Sequence, residues 1–130
     1  MQNMSGGKSA LGMDGNITAL LGYIVGIVAI ISIIMEKDNK FVRFHALQSV
    51  LWSAACVIGF FAILIIGGIL GLVLVTVSST LGGIVWTLTI LLYVGMFFVL
   101  FGGLIFGAIK SYGGSMFKLP IVGNLAEKWS

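Results

Sequence analysis

One long uncharged tract limits the kind of fold that this chain can adopt. Residues 44–109 include no Asp, Glu, Lys or Arg, and residues 15–35 form a second uncharged tract. About 20 consecutive apolar residues are enough for a helix to cross the hydrocarbon core of a bilayer. Both tracts therefore predict membrane-spanning helices.

Composition supports the same conclusion. The chain of 130 residues is 59% hydrophobic and 8% charged, with a mean hydropathy of +1.18. A soluble domain is about 45–50% apolar and about 25% charged. Such a chain cannot cover its own apolar surface with solvated groups, so we expect an all-α integral membrane protein whose solvent is lipid.

Turn-forming residues divide the long tract. Gly67-Gly68 is a possible break, and SSTLGG at residues 78–83 is a stronger one. The piece between the two breaks is too short to cross a bilayer alone. We therefore predict a three-helix transmembrane bundle with spans at residues 15–35, at 44–68 within a longer helix 40–76, and at 82–109 within a helix 82–111.

The segments outside the spans have different predicted roles. Residues 1–14 are polar and include Gly and Ser, so we expect a flexible N-terminal segment, followed by a single membrane domain over residues 15–130. Within the tail, residues 117–129, Pro120 stands at a plausible first helical position. Ile121, Val122, Leu125 and Trp129 then recur at helical spacing. This predicts a short amphipathic helix in the membrane interface, with Trp129 at headgroup level.

Basic residues predict the orientation in the membrane. Cytoplasmic flanks of membrane spans are enriched in Lys and Arg. With three spans only Lys8 lies on the outer side, whereas four spans would divide the basic residues almost evenly. We expect a multi-pass protein of the inner (cell) membrane, N-terminus outside and C-terminus cytoplasmic. Its cytoplasmic anchors would be Lys37, Lys40, Arg43, Lys110, Lys118 and Lys128.

The net charge of +3 also bears on partners. The basic residues are scattered in ones and twos beside apolar segments, which favours contact with anionic lipid over binding of nucleic acid. Expected partners are therefore the lipid bilayer and, through helix contacts, copies of this chain or other membrane proteins.

Helical spacing groups residues on faces that would meet inside the bundle. Small residues gather on one face of the first span, and aromatic and polar residues share one arc of the second helix. On the first span these are Thr18, Gly22, Ala29 and Ser32, on the second helix Phe41, Phe44, His45, Gln48 and Trp52, and on the third helix Thr89, Tyr93, Met96, Leu100, Gly103 and Gly107.

Six side chains are candidates for a functional site. They either form the mouth of a polar path, because ionisable groups at membrane depth are costly, or they bond neighbouring helices while charged ends reach the phosphates. These side chains are Arg43, His45, Gln48, Trp52, Thr89 and Tyr93.

Catalytic and cofactor motifs are missing from the sequence. It has one His and one Cys, and no acidic residue between Asp38 and Glu127. This pattern offers neither a cluster of metal ligands nor a G-x-S-x-G nucleophile elbow nor a phosphate-binding loop. We therefore expect no enzyme activity, no cofactor and no metal.

Two strings carry a resemblance to a known family. They are MEKDNKFVRFHALQS at residues 35–49 and YGGSMFKLPIVGNLAEKW at residues 112–129. Together they resemble the Tic-twenty-like family of small prokaryotic membrane proteins, related to a channel subunit of the chloroplast inner-envelope import apparatus. The matching positions are Glu36, Lys37, Asn39, Phe41, Arg43, His45, Gln48, Tyr112, Leu119, Pro120, Gly123 and Glu127.

The resemblance implies a helical membrane protein with three or four spans and, for plastid members, a role in protein translocation. Two hypotheses follow for this chain. In the first it is a non-enzymatic component or scaffold of a protein-translocation or membrane-assembly complex. In the second it is a subunit of an oligomeric channel or transporter for small solutes or ions, lined by His45, Gln48, Thr89 and Tyr93.

Overall fold

A computed structural model describes residues 7–130, and the ordered elements within this range are five helices. They are α1 (Gly15–Ile24), α2 (Gly26–Met35), α3 (Lys40–Val77), α4 (Ser79–Tyr112) and α5 (Val122–Trp129). The expectation of an all-helical protein is confirmed. The chain divides into two compact units, which we name the charged unit (residues 7–53 and 102–130) and the apolar unit (residues 54–101).

Two helices of the described chain, α3 and α4, are long and apolar enough to cross a membrane. With 38 and 34 residues, they measure about 57 and 51 Å at 1.5 Å per residue. The predicted three-span bundle is therefore not confirmed.

The first predicted span, residues 15–35, differs from the expected single rod. It consists of two ten-residue helices, α1 and α2, separated at Val25, whose backbone is extended (φ −116°, ψ 102°). A Cβ placed on Gly22 would lie 3.7 Å from the Cβ of Ala29. Residues seven apart in a straight helix are separated by about 10 Å along its axis, so α1 and α2 fold back on each other. A Cβ at this distance would be in ordinary van der Waals contact, so the two helices pack directly against each other at Gly22 and Ala29.

The N-terminal segment also differs from the expectation. Residues 1–6 of the predicted flexible segment lie outside the described residues. Residues 7–14 form a compact turn in which Lys8 pairs with Asp14 at 3.4 Å and the hydroxyls of Ser9 and Thr18 are 2.8 Å apart. These bonds attach the turn to the start of α1.

This turn lies beside the start of α3. The backbone N–H of Ala10 donates to the carboxylate of Glu36, and the Asn39 side chain donates to the carbonyl of Gly7 at 3.5 Å. The sequence prediction placed Lys8 across the membrane from Lys40, and the structure does not support it. The physical reason is the break at Val25, which returns the chain to the end of the charged unit where α1 begins.

Within the apolar unit, α3 and α4 pack as an antiparallel pair, and Ser78 is the single residue between them. Glycines allow the close approach. A Cβ on Gly82 would lie 2.7 Å from Cα of Val75, and one on Gly71 would lie 2.8 Å from Nε1 of Trp86. The predicted turn at residues 78–83 is therefore much shorter than its sequence suggests, since Gly82 serves helix packing inside α4.

Candidate functional site

A buried polar cluster lies inside the charged unit. It consists of Tyr23 from α1, His45 and Gln48 from α3, and the backbone of residues 115–119, the segment between α4 and α5. His45 and Gln48 are fully buried, and Tyr23 is 3% exposed. Buried polar groups are costly unless they are hydrogen-bonded, so the arrangement of their bonds decides whether the cluster stabilises the fold.

Gln48 is the centre of the cluster. Its Nε2 donates to the hydroxyl oxygen of Tyr23 at 2.6 Å and to the carbonyl of Phe117 at 2.9 Å. Its Oε1 accepts from the backbone N–H of Leu119 at 2.8 Å. A carboxamide has two donor hydrogens and one acceptor oxygen, so Gln48 uses both kinds of group to hold the C-terminal segment.

The partners of His45 determine its tautomer. Nε2 lies 2.8 Å from the carbonyl oxygen of Ser115, which can only accept, so Nε2 carries a hydrogen. Nδ1 lies 2.6 Å from the Tyr23 hydroxyl. Since Tyr23 already accepts from Gln48, its own hydrogen is free to be donated to Nδ1. When the imidazole is neutral, Gln48 therefore donates to Tyr23, Tyr23 donates to His45, and His45 donates to the carbonyl of Ser115.

Aromatic rings enclose the imidazole of His45. The ring centroids of Phe41 and Phe44 lie 4.6 and 5.0 Å from that of His45, and both pairs are edge-to-face. Aromatic pairs favour this geometry and separation. The polar cluster is thus surrounded by apolar side chains, and its donors and acceptors are used internally. Its chemical role is to fix the C-terminal segment against α1 and α3.

Two glycines make room for the cluster. A Cβ on Gly107 of α4 would overlap the ring of Tyr23. A Cβ on Gly123 would lie 2.5 Å from Cβ of Lys118 and 3.0 Å from Oε1 of Gln48. Both positions require a residue without a side chain because another chain segment occupies the space.

Charged and polar side chains at residues 36–43 cap the end of α2 and the start of α3, beside this cluster. Nη1 of Arg43 donates to the carbonyls of Ile33, at 2.6 Å, and Glu36, at 3.2 Å, near the end of α2. Glu36 accepts from the backbone N–H of Asn39 at 3.0 Å, and Asn39 Oδ1 accepts from the N–H of Val42 at 3.3 Å. Side chains that satisfy terminal backbone groups stabilise helix ends. These charged and polar groups therefore define where α2 ends and α3 begins.

The other predicted site residues are divided between the two units. Trp52 lies in the charged unit, with its indole against Gly103. Thr89 and Tyr93 belong to the apolar unit, where Thr89 donates to the Val85 carbonyl of its own helix at 2.8 Å, and the Tyr93 ring packs 4.8 Å from that of Phe60. The structure brings together His45 and Gln48, to which it adds Tyr23.

The predicted anchors all belong to the charged unit. Lys110 lies 5.5 Å from the ring centroid of Phe106, and Lys118 pairs with Glu127 at 3.1 Å. Lys37, Lys40 and Lys128 are exposed. The seven Lys and Arg residues and the four Asp and Glu residues of the chain are therefore confined to this unit.

The C-terminal helix begins later than predicted, and of its four predicted apolar residues only Val122 is buried in the protein. Pro120 precedes a tight turn, in which the N–H of Val122 donates to the Pro120 carbonyl at 2.7 Å and Ile121 has a positive φ of 68°. This geometry is a γ-turn, so α5 starts at Val122. Val122, Gly123 and Ala126 are buried, and the predicted apolar side chains of Ile121, Leu125 and Trp129 are exposed.

Comparison with known proteins identifies the family. A UPF0132 membrane protein of Methanocaldococcus jannaschii is 34% identical over 125 residues, which cover 95% of this chain and 96% of the relative. The chain belongs to the UPF0132 family of membrane proteins. A UPF0132 relative from Archaeoglobus fulgidus is 31% identical over 89% of the chain and 95% of its own length. No family model and no solved structure matches the chain.

A further relative is a longer protein in which only one segment is similar to this chain. An uncharacterised protein of Dictyostelium discoideum is 39% identical over 110 residues, which cover 83% of this chain and 27% of the relative. The family assignment establishes that this is a membrane protein. The resemblance to the Tic-twenty-like family stays a prediction.

Sequence reasoning missed Tyr23, Gly107 and Gly123 as parts of the cluster in this UPF0132 protein. Tyr23 had a usable signal, since a tyrosine in an uncharged tract needs a hydrogen-bond partner when it is buried. Helical spacing placed Gly107 on the inner face of the third helix, and Gly123 is one of the positions that match the Tic-twenty-like family, but neither pattern predicts contact with Tyr23 or Gln48.

The apolar unit has a second candidate site on α4. Ser79, Gly83 and Thr87 are four residues apart and exposed on one side of that helix, where they line an open recess of about 400 Å³ with Thr80, Ile84 and Leu88. A Cβ on Gly83 would meet nothing within 4 Å. We name Ser79, Gly83 and Thr87 the small-residue stripe.

Proposed function

We propose that this UPF0132 protein is a non-enzymatic membrane component that docks on another transmembrane helix within a protein-translocation or membrane-assembly complex. The observation that carries the proposal is the small-residue stripe on α4, with its open recess. In lipid, helices associate by close packing of small residues rather than by removal of apolar surface from water. A stripe with four-residue spacing is the usual form of such a contact.

A comparison among glycines supports this reading of the stripe. Gly67, Gly71 and Gly82 each face a side chain or backbone of the opposite helix inside the apolar unit, so internal packing explains them. Gly83 faces open space. A glycine inside a helix costs about 0.5–1 kcal/mol relative to alanine. Close packing of a partner helix against the exposed Gly83 would offset that cost.

The more specific parts of the proposal rest on sequence. The translocation or assembly role follows from the resemblance to the Tic-twenty-like family. The basic residues, which all belong to the charged unit, support three further parts of the proposal. These are an inner-membrane location, a cytoplasmic C-terminus and contact with anionic lipid.

Co-purification of partners tests the docking site. Gly83→Leu adds a large side chain at the recess, where a Cβ would meet nothing within 4 Å. Gly95→Leu is the matched control, because a Cβ on Gly95 also meets nothing within 4 Å and its position is about 120° around the same helix. We expect a defined partner in detergent extracts of native membranes to be lost with Gly83→Leu and retained with Gly95→Leu. Equal retention by both variants would contradict docking at the stripe.

Differently tagged copies of the chain identify the partner class. Co-purification of the two tags that depends on Gly83 would assign a second copy of this chain to the stripe. Absence of such co-purification, with loss of another protein, would assign a different membrane protein.

Reconstitution tests the alternative of an oligomeric channel. His45 and Gln48 are fully buried and hydrogen-bonded, and Thr89 is 8% exposed. A conducting path would need at least one of these polar groups to face water. Conductance in liposomes that Thr89→Val abolishes would favour the channel over the docking component.

A further inference from the structure

We infer that α1 and α2 form a re-entrant hairpin that enters and leaves the bilayer on one side, so that its outer surface contacts the lipid of a single leaflet. The partner of this surface is the acyl-chain region of that leaflet, with anionic headgroups beside the charged unit. The inference concerns a different surface from the small-residue stripe and does not depend on docking there.

Contacts at the two ends of the hairpin carry the inference. The turn before α1 bonds to the residues after α2, through Ala10 with Glu36 and Gly7 with Asn39. The start of α1 also reaches the end of α4, where the Asn16 side chain donates to the Tyr112 carbonyl at 3.1 Å. The beginning and the end of the hairpin therefore lie at the same end of the charged unit.

The hairpin is too short to reach the other side. Each of its helices has ten residues, which is about 15 Å of helix, and the hydrocarbon core is about 30 Å thick. A contact near the tip gives a similar length for the hairpin. Ser49 of α3 donates to the Gly22 carbonyl, and Ser49 lies nine residues, or about 14 Å, along α3 from Lys40.

The outer surface of the hairpin is suited to acyl chains. Its exposed side chains are large and aliphatic, and they include the tip. They are Ile17, Ile24, Val25, Ile27, Ile30, Ile31, Ile34 and Met35. Apolar side chains of this size are unfavourable in water and favourable among acyl chains. The break itself is tolerated because the backbone N–H of Val25 donates to the Leu21 carbonyl at 2.7 Å, so it is not left unpaired in lipid.

Charge complementarity indicates which part of the leaflet adjoins the hairpin. The charged unit to which α1 and α2 belong contains all seven Lys and Arg residues of the chain. Anionic headgroups attract basic residues near the membrane surface. With two crossings by α3 and α4 and a re-entrant hairpin, every basic residue would lie on the cytoplasmic side.

Single-cysteine labelling with a membrane-impermeant maleimide tests the topology. The sites are Ala10→Cys, Thr80→Cys and Asn124→Cys in a Cys56→Ser background. All three positions are exposed, and none of these changes alters the charge. We expect positions 10 and 124 to be labelled from one side of the membrane and position 80 from the other. Labelling of position 10 together with position 80 would overturn the inference.

A spin label on Val25→Cys tests the depth of the tip. We expect collisions with oxygen, which dissolves in lipid, to exceed collisions with a water-soluble nickel chelate, and Thr80→Cys to show the reverse. If the nickel chelate dominates at position 25, the hairpin lies in water and the lipid contact is overturned. These measurements need no partner protein, so their outcome is independent of the result with Gly83→Leu.

Discussion

The ring of Tyr23 occupies the space that a side chain at Gly107 would need, so that a Cβ on Gly107 would overlap ring atoms Cε1 and Cζ. This contact joins α1 to α4 and holds the Tyr23 hydroxyl against His45 and Gln48. The packing at Gly107 and the geometry of the polar cluster therefore depend on each other, and a change to either should disturb both.

Gly107→Ala should destabilise the protein. Forcing extra atoms into a packed site costs about 1–3 kcal/mol, and the neighbouring atoms here are those of a buried ring rather than a flexible chain end. We expect a lower melting temperature in detergent. Gly102→Ala is the control, because its Cβ meets nothing within 4 Å and alanine favours the helix. A melt of Gly107→Ala equal to that of Gly102→Ala would refute the close contact.

Tyr23→Phe should destabilise the protein without changing its shape. Removing the hydroxyl leaves Nδ1 of His45 without a donor and one hydrogen of Gln48 without an acceptor. A buried polar group left unpaired costs about 1–3 kcal/mol. The control is Tyr112→Phe, since that side chain is 56% exposed. The relevant measurement is the difference in melting temperature between the two variants, and no difference would count against the bond network.

Gly103→Leu should loosen the contact with Trp52, because a Cβ on Gly103 would overlap the indole ring. Gly103→Ala should have a smaller effect of the same sign. Trp52→Phe removes part of the ring, so Gly103→Ala should cost less in that background. A double-mutant cycle of melting free energies measures the coupling, which we expect to be about 0.5–3 kcal/mol for residues in contact. Simple additivity of the two changes would contradict the contact.

Gly22→Leu and Gly26→Leu should differ although the two glycines belong to the same G-x-x-x-G pattern. At Gly22 the added side chain would meet Ala29 of α2, whereas at Gly26 a Cβ meets nothing within 4 Å. We expect Gly22→Leu to separate α1 from α2 and to increase proteolysis near residue 10 in detergent. Gly26→Leu should resemble the unchanged protein. Equal sensitivity of the two variants would argue against the folded-back hairpin.

Arg43→Leu should release the end of α2, since Arg43 donates to the carbonyls of Ile33 and Glu36. It also removes one basic residue from the flank that we propose to be cytoplasmic. Arg43→Lys separates the two effects, because it keeps the charge but presents one ammonium in place of the planar guanidinium. We expect both variants to lower the melting temperature and only Arg43→Leu to change the labelling pattern. Identical labelling and melting in all three proteins would rule out both roles.

Helical spacing identified a buried face correctly although the structure divides the predicted helix into two. Thr18, Ala29 and Ser32 were grouped on one inner face of a single rod, and all three are buried although the rod is broken at Val25. The grouping held because small residues suit any close contact between helices. Spacing alone could not show that the contact at Gly22 is with Ala29 of the same chain segment.

The predicted count of three spans, which the structure does not confirm, shows what the rule for basic residues leaves open. The bias of basic residues favoured an odd number of crossings because only complete crossings were considered. The re-entrant hairpin that we infer would give an even greater bias with two crossings, and it is the contacts of Ala10 and Asn39 that support this inference.

The sequence by itself determined that this is a membrane protein, that it is helical and where along the chain its charged residues lie. These properties depend on composition and on the period of the helix, which can be read from consecutive residues. Only the tertiary structure decided that α1 and α2 fold back, that Tyr23 joins His45 and Gln48, and that Gly83 faces outward while Gly82 faces Val75. Those properties depend on which residues meet in space, from 7 positions apart for Val75 and Gly82 to 25 for Tyr23 and Gln48. The same residue types occur at many places in the chain where no such contact forms.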